Sequence, residues 1–326
     1  MNSLEPYSII IPTEKSFKDR IIKTNPLFGD PLSWFDNSLL ETQNLNKIQF
    51  DYFINWRNKT LQHEVWLKRL YKVHTSEKQT REAFAPNILI QKISACDSPY
   101  FNTQNSINFL CSNGFSPKYM IIKDLNHPDE FKVNNQEIRN TVVTVLPVSI
   151  NGIGNPQHLN LESLKDNIRT LSGGPLDNDK QLYISTSALE SHLYSTPDKW
   201  PGDCDLLLFD NNYNCKAIIE FKKHNISTQN LNNHSIEPWL HGKDSRKYKR
   251  LGILRDYFAS RQGTMVPLVV FIYPTYENEN RIKLEFLEGA WDKLEIKKQI
   301  ILAGPITEEN KINIINTILT GGHNDY

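Results

Sequence analysis

Four ionisable side chains mark a stretch that is otherwise apolar, PGDCDLLLFDNNYNCKAIIEFKK, residues 201–223. Asp203, Asp205, Glu220 and Lys222 sit in or beside two runs rich in Leu and Ile. CDLLLFD (204–210) and CKAIIEFKK (215–223) read as strands, and the intervening NNYN predicts a hairpin. With Asp210 set opposite Cys215, Asp205 faces Glu220 and Asp203 faces Lys222. Side chains alternate along a strand, which puts all four on one face. Opposed residues have Cβ atoms about 4.5–5.5 Å apart, so the two carboxylates repel unless a cation lies between them. Lys222 offsets part of this. A divalent ion offsets more, and paired carboxylates with water are the usual way protein holds Mg2+. Leu207 and Ile218 continue the same face, while Cys204, Leu206, Leu208, Ile219 and Phe221 line the other. A solvated hairpin would keep polar residues along one whole face. Here both faces are largely apolar, as in a covered sheet, and the acids mark the end away from the turn.

The elements expected to position these groups follow from local pattern. STSALESHLYS (185–195) predicts a short helix, and residues 243–261 a longer one with an apolar stripe at Tyr248, Leu251, Leu254 and Phe258 and a cap at Asp244 or Ser245. PLVVFIYP (267–274) and RIKLEFL (281–287) read as strands, and 307–321 as a C-terminal helix capped by Thr307. From 185 to 274 the order is helix, strand, strand, helix, strand. Earlier in the chain, residues 46–72 predict a helix from Ile48, Tyr52 and Trp56, then Leu61, Val65 and Leu70. NILI (87–90), YMII (119–122) and TVVTVLPVSI (141–150) predict strands, 161–171 a short helix and 172–180 a loop. The expected class is α/β (α+β): a mixed central sheet with flanking helices, plus an N-terminal α+β region. A boundary near residue 160 separates an N-terminal part, 1–160, that binds target, senses a signal or mediates assembly, from a domain over 161–326.

Pro-Gly-Asp-Cys-Asp before an apolar strand, with Glu-Phe-Lys ending the next, resembles the PD-(D/E)XK nuclease superfamily, and the element order is similar to that superfamily's restriction-endonuclease-like core. The resemblance covers about residues 185–275. It implies a metal-dependent endonuclease in which Asp205, Glu220 and the Phe221 backbone carbonyl hold Mg2+, with Mn2+ as a substitute. Lys222 then orients or helps deprotonate the attacking water. Asp203 competes with Asp205 for the first ligand position; the spacing and the pairing with Glu220 favour Asp205. An acid on the helix before the hairpin is common in the superfamily, which makes Glu190 a catalytic candidate. Ser187-Ala-Leu-Glu190 is equally a capping box. Arg246, Lys247 and Arg250 open the helix that follows the Glu-x-Lys strand, where they hold a phosphate backbone or simply form a solvated face. DNA is the expected substrate, with RNA not excluded, and restriction or antiviral defence is the biology that fold-level analogy supplies. Cutting two strands would need two sites, hence a homodimer.

The remaining signals are weaker. His224 shares the Lys222 face, but an exposed histidine at a strand end is the ordinary expectation. His234 and His241 with Glu237 form a loop-like cluster that points only faintly to a second metal. The aromatic and basic mix at Trp56, Arg57, Lys59, Trp66, Lys68 and Arg69 suits a core at helical spacing as well as a DNA-reading surface. Cys96, Cys111, Cys204 and Cys215 make no CxxC pair and no zinc spacing, and reduced thiols in a cytoplasmic protein are expected. The start has neither the basic opening nor the apolar stretch of a signal peptide, no run reaches membrane-spanning length, and no GxxxxGK[ST] phosphate loop occurs. Lys+Arg and Asp+Glu are both 37, so any grip on a polyanion must come from a local patch.

Overall fold

The computed structural model describes residues 6–8, 15–16, 27–29, 31–71, 86–98, 101–123, 127–131, 142–176, 184–225, 229–242 and 244–322. Part of the expected loop at 172–180 and the first residue of the expected helix at 243 lie outside them. The fold is α+β, with strands in a mixed sheet and helices against it. The chain divides into two units, Met1–Ile22 with Phe50–Asp203, and Lys23–Gln49 with Cys204–Tyr326. The division falls at 203/204 and not near 160, and residues 23–49 build into the second unit. Among the described residues no helix is long and apolar enough to cross a membrane.

The first unit orders its strands as β3 (Leu45–Asn55, from Phe50 on), β4 (Thr60–Tyr71), β5 (Ser116–Lys123) and β6 (Val143–Ser149). Short strands β1 (Pro6–Ser8), β7 (Gly152–Ile153) and β8 (Gln157–Leu159) add to β4 and β6, and β2 (Lys15–Ser16) pairs with β9 (Ile184–Ser185). The helix expected over 46–72 is therefore, as far as residue 71, a strand pair; residue 72 lies outside the described residues. Ile48, Phe50, Tyr52 and Ile54 alternate at period 2 and are all buried, a pattern that aromatic and β-branched residues satisfy on a pleated surface. Residues 87–90 belong to helix α3 (Pro86–Asp97), which with α4 (Thr103–Ser112) carries the chain between parallel strands β4 and β5. Helix α5 (Leu161–Ser172) buries Leu164 and Ile168 in the same core as Trp66, Met120, Val143 and Trp200. That burial is why residue 160 is no boundary.

The second unit orders β14 (Glu295–Ala303), β13 (Arg281–Glu288), β12 (Leu268–Pro274), β11 (Cys215–His224) and β10 (Gly202–Asp210), with the opening residues of β3 beyond β10. From β10 to β14 the β11–β12 pairing is parallel and the other three are antiparallel. Its crossover carries α7 (Glu237–Leu240) and α8 (Ser245–Gln262). Strand β14 is not among the strands expected from the sequence; its exposure alternates residue by residue, which suits an edge. On the face of Phe221, Phe271 and Tyr273, an aromatic cluster forms with Trp34 of α1 (Pro31–Trp34) and Phe35, Trp34 stacking on Phe271 at 5.2 Å between centroids. Helix α2 (Asn37–Thr42) and C-terminal helix α9 (Glu308–Leu319) complete the unit; Lys311 of α9 donates to the Ser33 carbonyl. The capping of α9 by Thr307 is as expected, its hydroxyl accepting from the Asn310 N–H.

Candidate functional site

The hairpin ladder pairs Leu206 with Ile219, Leu207 with Ile218 and Leu208 with Ala217. A bulge then sets Phe209, not Asp210, opposite Cys215. The starting register of the sequence reading was thus one residue off at the turn, and the bulge cancels the error where the acids lie. Continued by one step, the register sets Asp205 opposite Glu220. Main-chain pairing gives way at that step: Asp205 turns its carboxylate onto the strand, and its Oδ2 accepts from the Phe221 N–H at 2.8 Å. A residue in a strand points its N–H and C=O to the same side, so the Phe221 carbonyl faces Asp205 as well. On its other flank the Asp205 carbonyl accepts from the Gln49 side chain.

Glu220 is 1% exposed. Its Oε1 is ion-paired with Lys247 on the first turn of α8. Lys247, expected among the phosphate-holding cations, is therefore engaged by the carboxylate itself. Tyr248, next along the helix, has its phenol pushed up by burial and by the nearby Glu220 charge. Arg246, Lys249 and Arg250 are half-buried on the same helix. Asp244 occupies the N-cap position without a side-chain cap bond, and no acid lies in the first turn.

Lys222 holds its ammonium over the Trp239 ring of α7, 4.6 Å from the centroid, a cation–π contact that fixes a flexible side chain. Trp239 also packs on His234, 5.7 Å between ring centroids. His224 is fully buried, contrary to the expected exposed strand end, and its Nδ1 lies 2.6 Å from His234 Nδ1. Its Nε2 faces the Gln229 carbonyl at 2.9 Å. A carbonyl only accepts, so that nitrogen carries the hydrogen; His224 Nδ1 then accepts from His234 Nδ1–H. Burial, with His224, Lys222 and Lys283 nearby, pulls His234 down to about 4. The loop that carries His234 is anchored by a buried pair on β13. Lys283 donates to the Asn232 and His234 carbonyls, and Glu285 accepts from the Ile236 N–H. Neither this anchor nor Trp239 is announced by any spacing near the motif.

Glu190 and Asp203 belong to the first unit. Glu190 lies on helix α6 (Ala188–Tyr194), is 5% exposed, and joins Lys68 at 2.6 Å and the Thr186 hydroxyl at 2.6 Å. Ser187 caps the helix by accepting from the Glu190 N–H, while the Glu190 carboxylate reaches the N–H of Thr186, one residue before the cap. Lys68 also lies 3.7 Å from Asp51, which bonds the Trp200 indole. Burial, opposed by Lys68 and aided by Glu190 and Asp203, raises Asp51 to about 7. This cluster of charge in the first unit has no counterpart in the sequence reading, because Asp51 and Lys68 sit on strands that were read as one helix.

In the second unit the donors are then Asp205, Glu220 and the Phe221 carbonyl. All are hard oxygens and match Mg2+, which takes few protein ligands and keeps several waters. The set therefore fits the ion, with the Lys247 ammonium standing at one of its carboxylates. Among the described residues no three His, Cys, Asp or Glu side chains are grouped as a metal cage; a site of two carboxylates and a carbonyl does not present such a trio. No protein-family model, curated protein or solved structure matches the chain.

Proposed function

We propose that the second unit is a Mg2+-dependent endonuclease that hydrolyses phosphodiester bonds in DNA. The observation that carries the proposal is the end of the β10–β11 ladder. There Asp205 and Glu220 come opposite each other, the Phe221 carbonyl faces the same side as Asp205, and Lys222 follows two residues on. A bound Mg2+ would acidify water and stabilise charge on the phosphodiester oxygens. Asp205 and Glu220 would supply the negative charge that holds it. Lys222 cannot ligate a metal as an ammonium; from above Trp239 it would orient the attacking water by donating to it. The N-terminal half of α8 would grip the phosphate backbone. Cations in a first turn oppose the helix dipole, so Arg246 and Lys247 weaken the helix they open. Anion binding gives that arrangement a purpose. Restriction or antiviral defence, with two copies acting on two strands, is the biological setting this chemistry fits.

A second reading has its own support: Lys247 pairs with Oε1 of Glu220 and Lys222 lies over Trp239, as in a nucleic-acid-binding protein that keeps the fold without catalysis. Plasmid and single-stranded DNA and RNA cleavage in Mg2+ separates the two. The nuclease is expected to stop in EDTA. Asp205→Asn, Glu220→Gln and Lys222→Met should each lose at least about 100-fold in rate, with each variant's folding checked by circular dichroism. DNA binding without cleavage under every metal condition would establish the second reading, and undiminished cutting by the variants would remove the site assignment.

A further inference from the structure

Resting on the reading of Asp205 and Glu220 as cation ligands, we infer that Lys247 is a placeholder for the metal, an ammonium that neutralises Glu220 when no divalent cation is bound and must leave for one to enter. Glu220 is 1% exposed, and an ionised carboxylate so deep is not held without a counter-charge. A counter-charge comes from α8, while the lysine of the Glu-x-Lys strand lays its ammonium over Trp239. The proposal concerns the first of these contacts, the one made by Lys247. A doubly charged ion at Glu220 repels an ammonium in contact with the same carboxylate. Lys247 has room to yield, since its side chain is one-third exposed and sits on a long flexible stem. Arg250, three residues on, is its neighbour on the helix surface, so the displaced ammonium joins a second cation there. Metal entry would then release one more positive charge toward a phosphodiester, which couples loading of the ion to binding of the polyanion. Lys247 is on this account a positioning residue that acts through Glu220.

The experiment reads the exchange without catalysis. The full chain is labelled with acetic anhydride with and without Mn2+, and Lys247 acetylation is measured by mass spectrometry against Lys249 as internal reference. Lys247 is expected to become more reactive on Mn2+ addition. By calorimetric titration, Lys247→Met should bind Mn2+ more tightly by about tenfold, because the competing charge is gone. Lys247→Arg should bind it more weakly, because a guanidinium grips a carboxylate bidentately and is harder to displace. A lysine with a merely structural role would not move affinity in opposite directions. Unchanged labelling, together with wild-type affinity in Lys247→Arg, overturns the inference even if Lys247→Met fails to fold. Absence of saturable Mn2+ binding to the wild-type chain is a different failure; it removes the carboxylates as ligands, and the placeholder with them.

Discussion

At the scale of single residues, the site is made by side chains that do not act alone. His234 illustrates this. It is 8% exposed and held near 4 by burial and by the charges of Lys222 and Lys283, with the His224 ring against it. In the unfolded chain an imidazole titrates near 6.5. Between those values the unfolded state binds a proton that the folded state refuses, so stability is full above about 6.5 and is lost as pH falls toward about 4. The loss from this residue is at most about 3 kcal/mol. His234→Gln should flatten that part of the curve. Urea midpoints measured from pH 4 to 7 on both proteins provide the check, and the slope is expected to be shallower in the variant even if its stability at pH 7 is lower. A parallel decline in both would place the acid sensitivity elsewhere. The same residue braces Trp239 and through it Lys222, so the mutation should also blunt any activity of the site while leaving Asp205 and Glu220 in place.

At the scale of elements, the site depends on how α8 is seated. Gly252 is in the middle of that helix, where alanine is ordinarily better by about 1 kcal/mol. Here a Cβ would meet the Trp291 Cα at 2.8 Å, backbone that does not swing aside. Gly252→Ala should therefore destabilise the protein by about 1–3 kcal/mol. It should also shift the turn bearing Lys247, which thermal unfolding and Mn2+ titration of one sample would show together. The sequence made much of this element legible. Tyr248, Leu251, Leu254 and Phe258 gave the stripe of α8, and the apolar runs with a turn between them gave β10 and β11. Residues 46–71 failed because Ile48, Tyr52 and Trp56 mimic a helical spacing while Phe50 and Ile54 fill the alternate positions of a strand. NILI failed the other way, its β-branched residues overridden by the continuing run to Asp97. The pairing of Asp205 with Glu220 came out right because the bulge between Leu208 and Phe209 cancelled a one-residue error in the turn, which no local pattern announces. The engagement of Lys247 was not legible, since contact between a helix and a strand is set by the packing of both on the sheet, and no spacing within either encodes it.

At the scale of the whole molecule, charge decides how DNA could be held. Lys+Arg and Asp+Glu balance at 37 each, so the chain has no global field to draw in a polyanion, and the grip must come from cations gathered in one place. Within the second unit the described candidates are Arg246, Lys249 and Arg250 on α8, with Lys247 joining once a metal occupies the site. Three or four phosphate contacts release as many counterions, which on duplex DNA gives a slope of log affinity against log salt of about −2.7 to −3.6. Fluorescence anisotropy from 50 to 200 mM NaCl in EDTA, with about three contacts, is expected to lose about 40-fold in affinity. Arg246→Gln and Arg250→Gln should each lower the slope by about 0.9, and adding Mn2+ to a catalytically inactive Lys222→Met chain should steepen it by about as much as Lys247 rejoins the face. A wild-type slope near −10 would instead require more phosphate contacts than α8 offers, and would move the DNA-holding surface to residues outside this helix.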